Sequence, residues 1–131
     1  MVDSNPMCQL TESDFDESAV LIKITGADPS KMSSYDLYDR VRGEWVASLD
    51  RMRNVRLALG VCEGRVIEVY RVAGWFYAGE VMRQDEGFVS ADGRIEFVGN
   101  LASEALRRRY KDRLVTDLFH GQNPIKYVGG A

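Results

Sequence analysis

The chain has 131 residues, of which 45% are hydrophobic and 28% charged, and its net charge is -3 at pH 7. That is the size of one domain, large enough to bury a core without disulfides or metal, and the composition of an ordinary globular protein rather than a disordered or fibrous one. No apolar run reaches the ~18 residues of a membrane-spanning helix, and two cysteines (Cys8, Cys62) with one histidine (His120) are too few soft ligands for a structural zinc site.

The charge is unevenly spread. Residues 1–20 hold Asp3, Glu12, Asp14, Asp16 and Glu17 with no Lys or Arg, while the remainder carries 17 basic against 15 acidic groups, a balance of +2. This reads as an acidic, disordered leader over residues 1–18 ahead of a single domain over residues 19–131. The sharper alternative is an electrostatic lid over a basic surface. The leader has neither the basic nor the apolar run of a signal peptide, which points to the cytoplasm and to free thiols.

Residues 19–25 alternate Val20, Ile22 and Ile24 against Leu21 and Lys23, the period of a strand. Asp28-Pro29 ends it. Ser33 or Ser34 caps a helix that stops at Gly43, with Asp36 in its first turn and Arg40 and Arg42 near its end, each complementing the helix dipole. Tyr35, Leu37, Tyr38 and Val41 form its buried stripe. Ser48 caps a short helical turn over residues 48–52.

Residues 55–77 read as a hairpin turning at Glu63-Gly64. Its first strand sets Leu57, Leu59 and Val61 against the small residues Ala58, Gly60 and Cys62, a face suited to receiving another element. Its second strand has a mixed pattern and ends at Trp75-Phe76-Tyr77. Residues 78–92 are polar and loop-like, with a short strand over residues 79–83 as one reading. Residues 94–98 form a strand after the Asp92-Gly93 turn. A helix runs from Ser103 to Tyr110, a helical stretch covers residues 116–119, and residues 125–128 close the chain as a strand. Short strands with helices inserted irregularly imply an α+β domain: a small, curled, mostly antiparallel sheet or barrel with two or three helices.

Four segments carry a resemblance: LIKITGADPSKMSSYDLYDRVRGEW, LALGVCEGRVIEVYRVAGW, GRIEFVGNLASEALRRRY and HGQNPIKYV. In this order, from Leu21 to Val128, they resemble an uncharacterised bacterial region that follows GIY-YIG nuclease domains of the ankyrin/LEM type. The most specific pieces are Arg42-Gly43-Glu44-Trp45, Val69-Tyr70 through Trp75, Phe97-Val98-Gly99, and Gln122 through Tyr127. The chain lacks the GIY-YIG pair itself, and Tyr110-Lys111-Asp112-Arg113 departs from the relatives' pattern. The hairpin, the Trp corner and the returning last strand are also similar to PUA-like barrels of the EVE/ASCH type. That likeness implies binding of RNA or modified bases.

Two basic runs stand out. Arg40, Arg42, Arg51, Arg53 and Arg56 surround Trp45, and Arg107, Arg108, Arg109, Lys111 and Arg113 occupy the last helix and its exit. Guanidinium groups beside aromatic rings suit single-stranded nucleic acid, and Gln122 and Asn123 offer paired donor and acceptor groups to a base edge. The expectation is a nucleic-acid-binding module for RNA or for single-stranded or modified DNA, with a face made of Arg42, Trp45, Trp75, Tyr77, Arg107, Arg108, Gln122 and Asn123. It is expected to have no cofactor, no metal and no catalysis of its own, and to work beside a nuclease or another protein. The competing expectation is a protein-interaction or oligomerisation module. Asp36, Asp39 and Glu44 read as a solvated face, and a Cys62–His120 pair lacks an activating partner.

Overall fold

In the computed structural model, the described residues are 9–26, 28–78 and 94–131. Cys8 and the optional strand over residues 79–83 lie outside them. Six strands and three helices follow in the order β1 (Ala19–Lys23), α1 (Ser34–Arg42), β2 (Gly43–Val46), α2 (Leu49–Met52), β3 (Leu57–Cys62), β4 (Arg65–Tyr77), β5 (Arg94–Leu101), α3 (Glu104–Tyr110) and β6 (Ile125–Val128). Short 3-10 turns cover Glu12–Asp14, Pro29–Lys31 and Thr116–Leu118. The class is α+β, as the strand and helix patterns predict.

One sheet holds all six strands in the order β2-β5-β4-β3-β1-β6. Only β1 and β3 pair in parallel, and the other neighbours are antiparallel. β4 is the shared strand: Arg65 to Arg71 face β3, and Tyr70 to Tyr77 face β5. The register slips between Gly60 and Val61 and again between Val72 and Gly74, so each half of β4 carries a bulge. Bulges bend and twist a strand. They also explain the mixed pattern of this strand: Val66 and Val69 enter one core, whereas Tyr70 and Trp75 enter the other.

The sheet curls into a half-barrel. A flat sheet would hold β2 and β6 about 24 Å apart, five spacings of about 4.8 Å. Instead, Gly43, Glu44 and Trp45 of β2 and the turn leading into β6 line the same cleft. One face of the sheet packs Leu21, Leu57 and Leu59 against Leu10, Phe15, Tyr110 and Leu118. The other packs Val20, Ile22 and Ala58 against Val41 and Met52. The small face of β3 receives α1: a β-carbon on Gly60 would lie 2.8 Å from a methyl of Val41. The hairpin turn places Glu63 and Gly64 at φ 51° and 78°, the left-handed pair that a two-residue loop requires.

Residues 9–18 differ from the disordered leader expected there. Gln9 bridges Leu114, Leu10 is buried, and the Phe15 ring stacks on Tyr110 at 4.9 Å and 7°. Asp16 meets Arg109 at 2.6 Å and Glu17 meets Arg71 at 2.5 Å, so the acidic residues lie over basic ones. The apolar anchors Leu10 and Phe15 are too sparse in sequence to signal an element, yet they cap a core face.

If this strap is part of the fold, Phe15→Ala lowers unfolding free energy by about 3 kcal/mol, the usual loss for a buried aromatic. Urea denaturation followed by far-ultraviolet circular dichroism reads this as a lower midpoint. An unchanged midpoint would show that residues 9–18 do not contribute to the core.

Candidate functional site

A cleft of about 1000 Å³ lies at the open end of the half-barrel. Lys23, Ile24 and Thr25 approach it from the end of β1, Arg40 from α1, Glu44 and Trp45 from β2, Arg94 from the start of β5, and Gln122 and Pro124 from the turn before β6. Each wall has a local cause. Ser33 caps α1 by accepting from the Asp36 amide at 3.1 Å, which sets the helix that carries Arg40. The Trp45 indole N–H donates to the Val41 carbonyl at 2.8 Å, fixing the ring against the helix end. The Lys23 amide donates to the Pro124 carbonyl at 2.8 Å, holding the turn against β1.

The cleft is cationic. Arg40 donates to the Thr25 carbonyl, Arg94 donates to the Glu44 carbonyl at 3.3 Å, and the Lys23 ammonium sits 4.7 Å from the centre of the Phe119 ring. Carbonyls and a ring orient these groups without cancelling their charge. Glu44, whose carbonyl accepts from Arg94, lines the cleft beside them.

The structure separates the residues expected to share one binding face. Trp45 and Gln122 do meet in the cleft. Tyr77 is half exposed and lies across β5 from Trp45, both paired to Ile95, two strand spacings or about 10 Å away. Asn123 caps its own turn, its Oδ1 accepting from the Ile125 amide at 3.0 Å. Trp75 is a core residue, edge-on to Phe97 at 5.2 Å, with its indole N–H donating to the Val55 carbonyl at 3.4 Å.

Arg42 is also interior, only 3% exposed. Its Nε donates to the Phe97 carbonyl at 3.0 Å, and its guanidinium reaches Asp39 at 3.3 Å and Glu96 at 3.7 Å. Asp39 is therefore a partner of Arg42 rather than part of a merely solvated face. The same guanidinium lies over Tyr38, whose hydroxyl accepts from the Gly99 amide at 2.9 Å. These contacts tie α1 to β5.

Arg107 and Arg108 sit across the sheet from the cleft residues of α1. α3 packs through Tyr110 onto the face of Leu57 and Leu59, and α1 packs through Val41 onto the face of Ala58. Each of the three arginines within α3 has a carboxylate. Arg107 forks onto Glu68 at 2.8 and 3.0 Å, Arg108 pairs with Glu104, and Arg109 with Asp16. Lys111 adds to Glu68 at 3.5 Å. Burial opposes the ionisation of Glu68, but Arg107, the Val69 amide and Lys111 outweigh it and hold the carboxyl below its ordinary value.

Lys23 and Arg94 escape notice in the sequence because each is a lone charge at a strand end. Only the curl of the sheet makes them neighbours of Arg40. Burial, then the charges of Glu63 and Asp28, push the Cys62 thiol up, away from the thiolate a nucleophile needs. Among the described residues, no three His, Cys, Asp or Glu side chains gather as a metal site, and no helix is long and apolar enough to cross a membrane. No family model, curated protein or solved structure matches the chain.

Removing the Arg42 side chain leaves Glu96 and Asp39 without their shared cation. Arg42→Ala should cost about 3–5 kcal/mol, whereas Arg108→Ala, on an exposed pair, should change stability by less than about 1 kcal/mol. Equal midpoints for the two variants in urea would contradict the assignment of Arg42 to the interior. Because the folded-state pKa of Glu68 is depressed, its contribution is present above the ordinary carboxyl range and is lost as pH falls through the folded value. Glu68→Gln should thus flatten the decline of stability below about pH 5. An unaltered pH profile in thermal melts would contradict the Glu68–Arg107 coupling.

Proposed function

We propose that the chain is a cytoplasmic nucleic-acid-binding module that works through the cleft at the open end of the half-barrel, without chemistry of its own. The observation that carries this reading is the sorting of the cations. The arginines of α3 face carboxylates, while Lys23, Arg40 and Arg94 line one cleft beside an aromatic ring and an amide. Uncancelled cations suit phosphates, an indole face suits a base, and Gln122 suits a base edge.

The volume of the cleft lies at the upper end of the range for small-molecule sites, so it accommodates a nucleotide or two rather than a duplex. This favours single-stranded RNA or DNA. The resemblance to a region that follows nuclease domains supports a role beside a nuclease, with this module holding the strand and the partner acting on it. The likeness to PUA-like barrels supports the same ligand class.

Fluorescence anisotropy with single-stranded oligonucleotides tests the reading. Binding should weaken with salt, with a log–log slope of about -2 if three cations meet phosphates. Each of Lys23→Gln, Arg40→Gln and Arg94→Gln should reduce that slope by about 0.7, and Arg108→Gln should leave it unchanged. Absence of binding at low salt, or loss of binding in Arg108→Gln alone, overturns the proposal.

A further inference from the structure

The cleft is unevenly provisioned for a strand that passes through it. Proteins that hold a run of single-stranded nucleic acid line the path with successive aromatic platforms. Among the described residues lining the cleft, Trp45 is the one aromatic side chain, and its ring is pinned by the Val41 carbonyl. Tyr77 does not line it. Against this single platform stand Lys23, Arg40 and Arg94, delivered from three different elements. Among the described lining residues, one base-sized surface therefore faces three cations.

An internal phosphodiester carries one negative charge. A phosphate monoester carries about 1.5 to 2 at neutral pH, with three acceptor oxygens. The second concentrates more charge on one phosphorus and gives each of the three cations an oxygen to meet. We infer that the cleft recognises a phosphate monoester borne by a nucleotide, at the end of a strand or free, rather than the interior of a strand. This rests on the nucleic-acid reading above. Trp45 then stacks the single terminal base, Gln122 meets its edge, and the three cations hold the terminal phosphate.

Isothermal titration calorimetry separates the outcomes, using short DNA strands of one sequence ending in a 5′-phosphate, in a 3′-phosphate or in hydroxyls only. A nucleoside monophosphate serves as competitor. One phosphorylated strand should bind about tenfold tighter than the hydroxyl-ended one, and Arg40→Gln and Arg94→Gln should each shrink that advantage. Both side chains are exposed, so both variants should fold. A monophosphate that competes as tightly as the phosphorylated strand upholds the monoester chemistry and assigns it to a free nucleotide. Equal affinity for all three strands overturns this inference while leaving the proposed function intact. Failure of every strand and of the monophosphate to bind overturns both.

Discussion

Backbone pairing along β4 governs the rest of the molecule. Its 13 residues serve β3 with one half and β5 with the other, and each half slips by one residue. A strand bulged twice bends and twists, and the sheet built on it curls. The curl brings β2 and the turn before β6 to one cleft although four strands lie between them in the sheet. It also leaves a hollow that α1 fills, with Val41 seated where Gly60 has no side chain. A β-carbon there would push against a stiff, branched neighbour, so helix position and strand composition depend on each other.

The second organising constraint is the cost of leaving a buried charge unpaired. Arg42 and Glu96 lie inside, and they are held by each other, by Asp39 and by a backbone carbonyl. Removing one member is far more costly than the pair's own net contribution. Glu68 is similarly enclosed between Arg107 and Lys111. Once Arg42, Arg107 and Lys111 are spent on structure, neither basic run of the sequence stands whole as a binding surface. The cations that remain turned toward a common cleft come from scattered positions, and it is this residue of the sorting that defines the candidate site.

Local rules made much of the frame legible. Glu63-Gly64 marks the hairpin because Gly64 takes the left-handed conformation that a two-residue loop needs, and Ser33, Ser48 and Ser103 mark helix starts because each side chain satisfies a backbone amide. The Ala58-Gly60-Cys62 face announces a close neighbour. Other features depend on long-range geometry that no window of sequence contains. β2 is a four-residue edge strand whose partner lies about fifty residues away, so its Gly43–Val46 segment carries no alternation of its own. The bulges hide the period of β4, and residues 9–18 have two anchors rather than a pattern. Arg42 and Trp75 look like binding residues by type, and only their packing shows them to be interior. Trp45 and Gln122 are the expected site residues that share the cleft, while Lys23 and Arg94 become visible only after the sheet has curled.

The central claim is that ligand binding belongs to the cleft and not to the arginine-rich helix. Backbone and indole amide chemical shifts, followed as a single-stranded oligonucleotide is titrated into the labelled protein, address it most directly. The account predicts that the largest shifts fall on Thr25, Arg40, Gln122 and the Trp45 indole N–H, with residues 104–110 unmoved. Shifts concentrated on Arg107, Arg108 and Arg109, or no shifts at all, would contradict it.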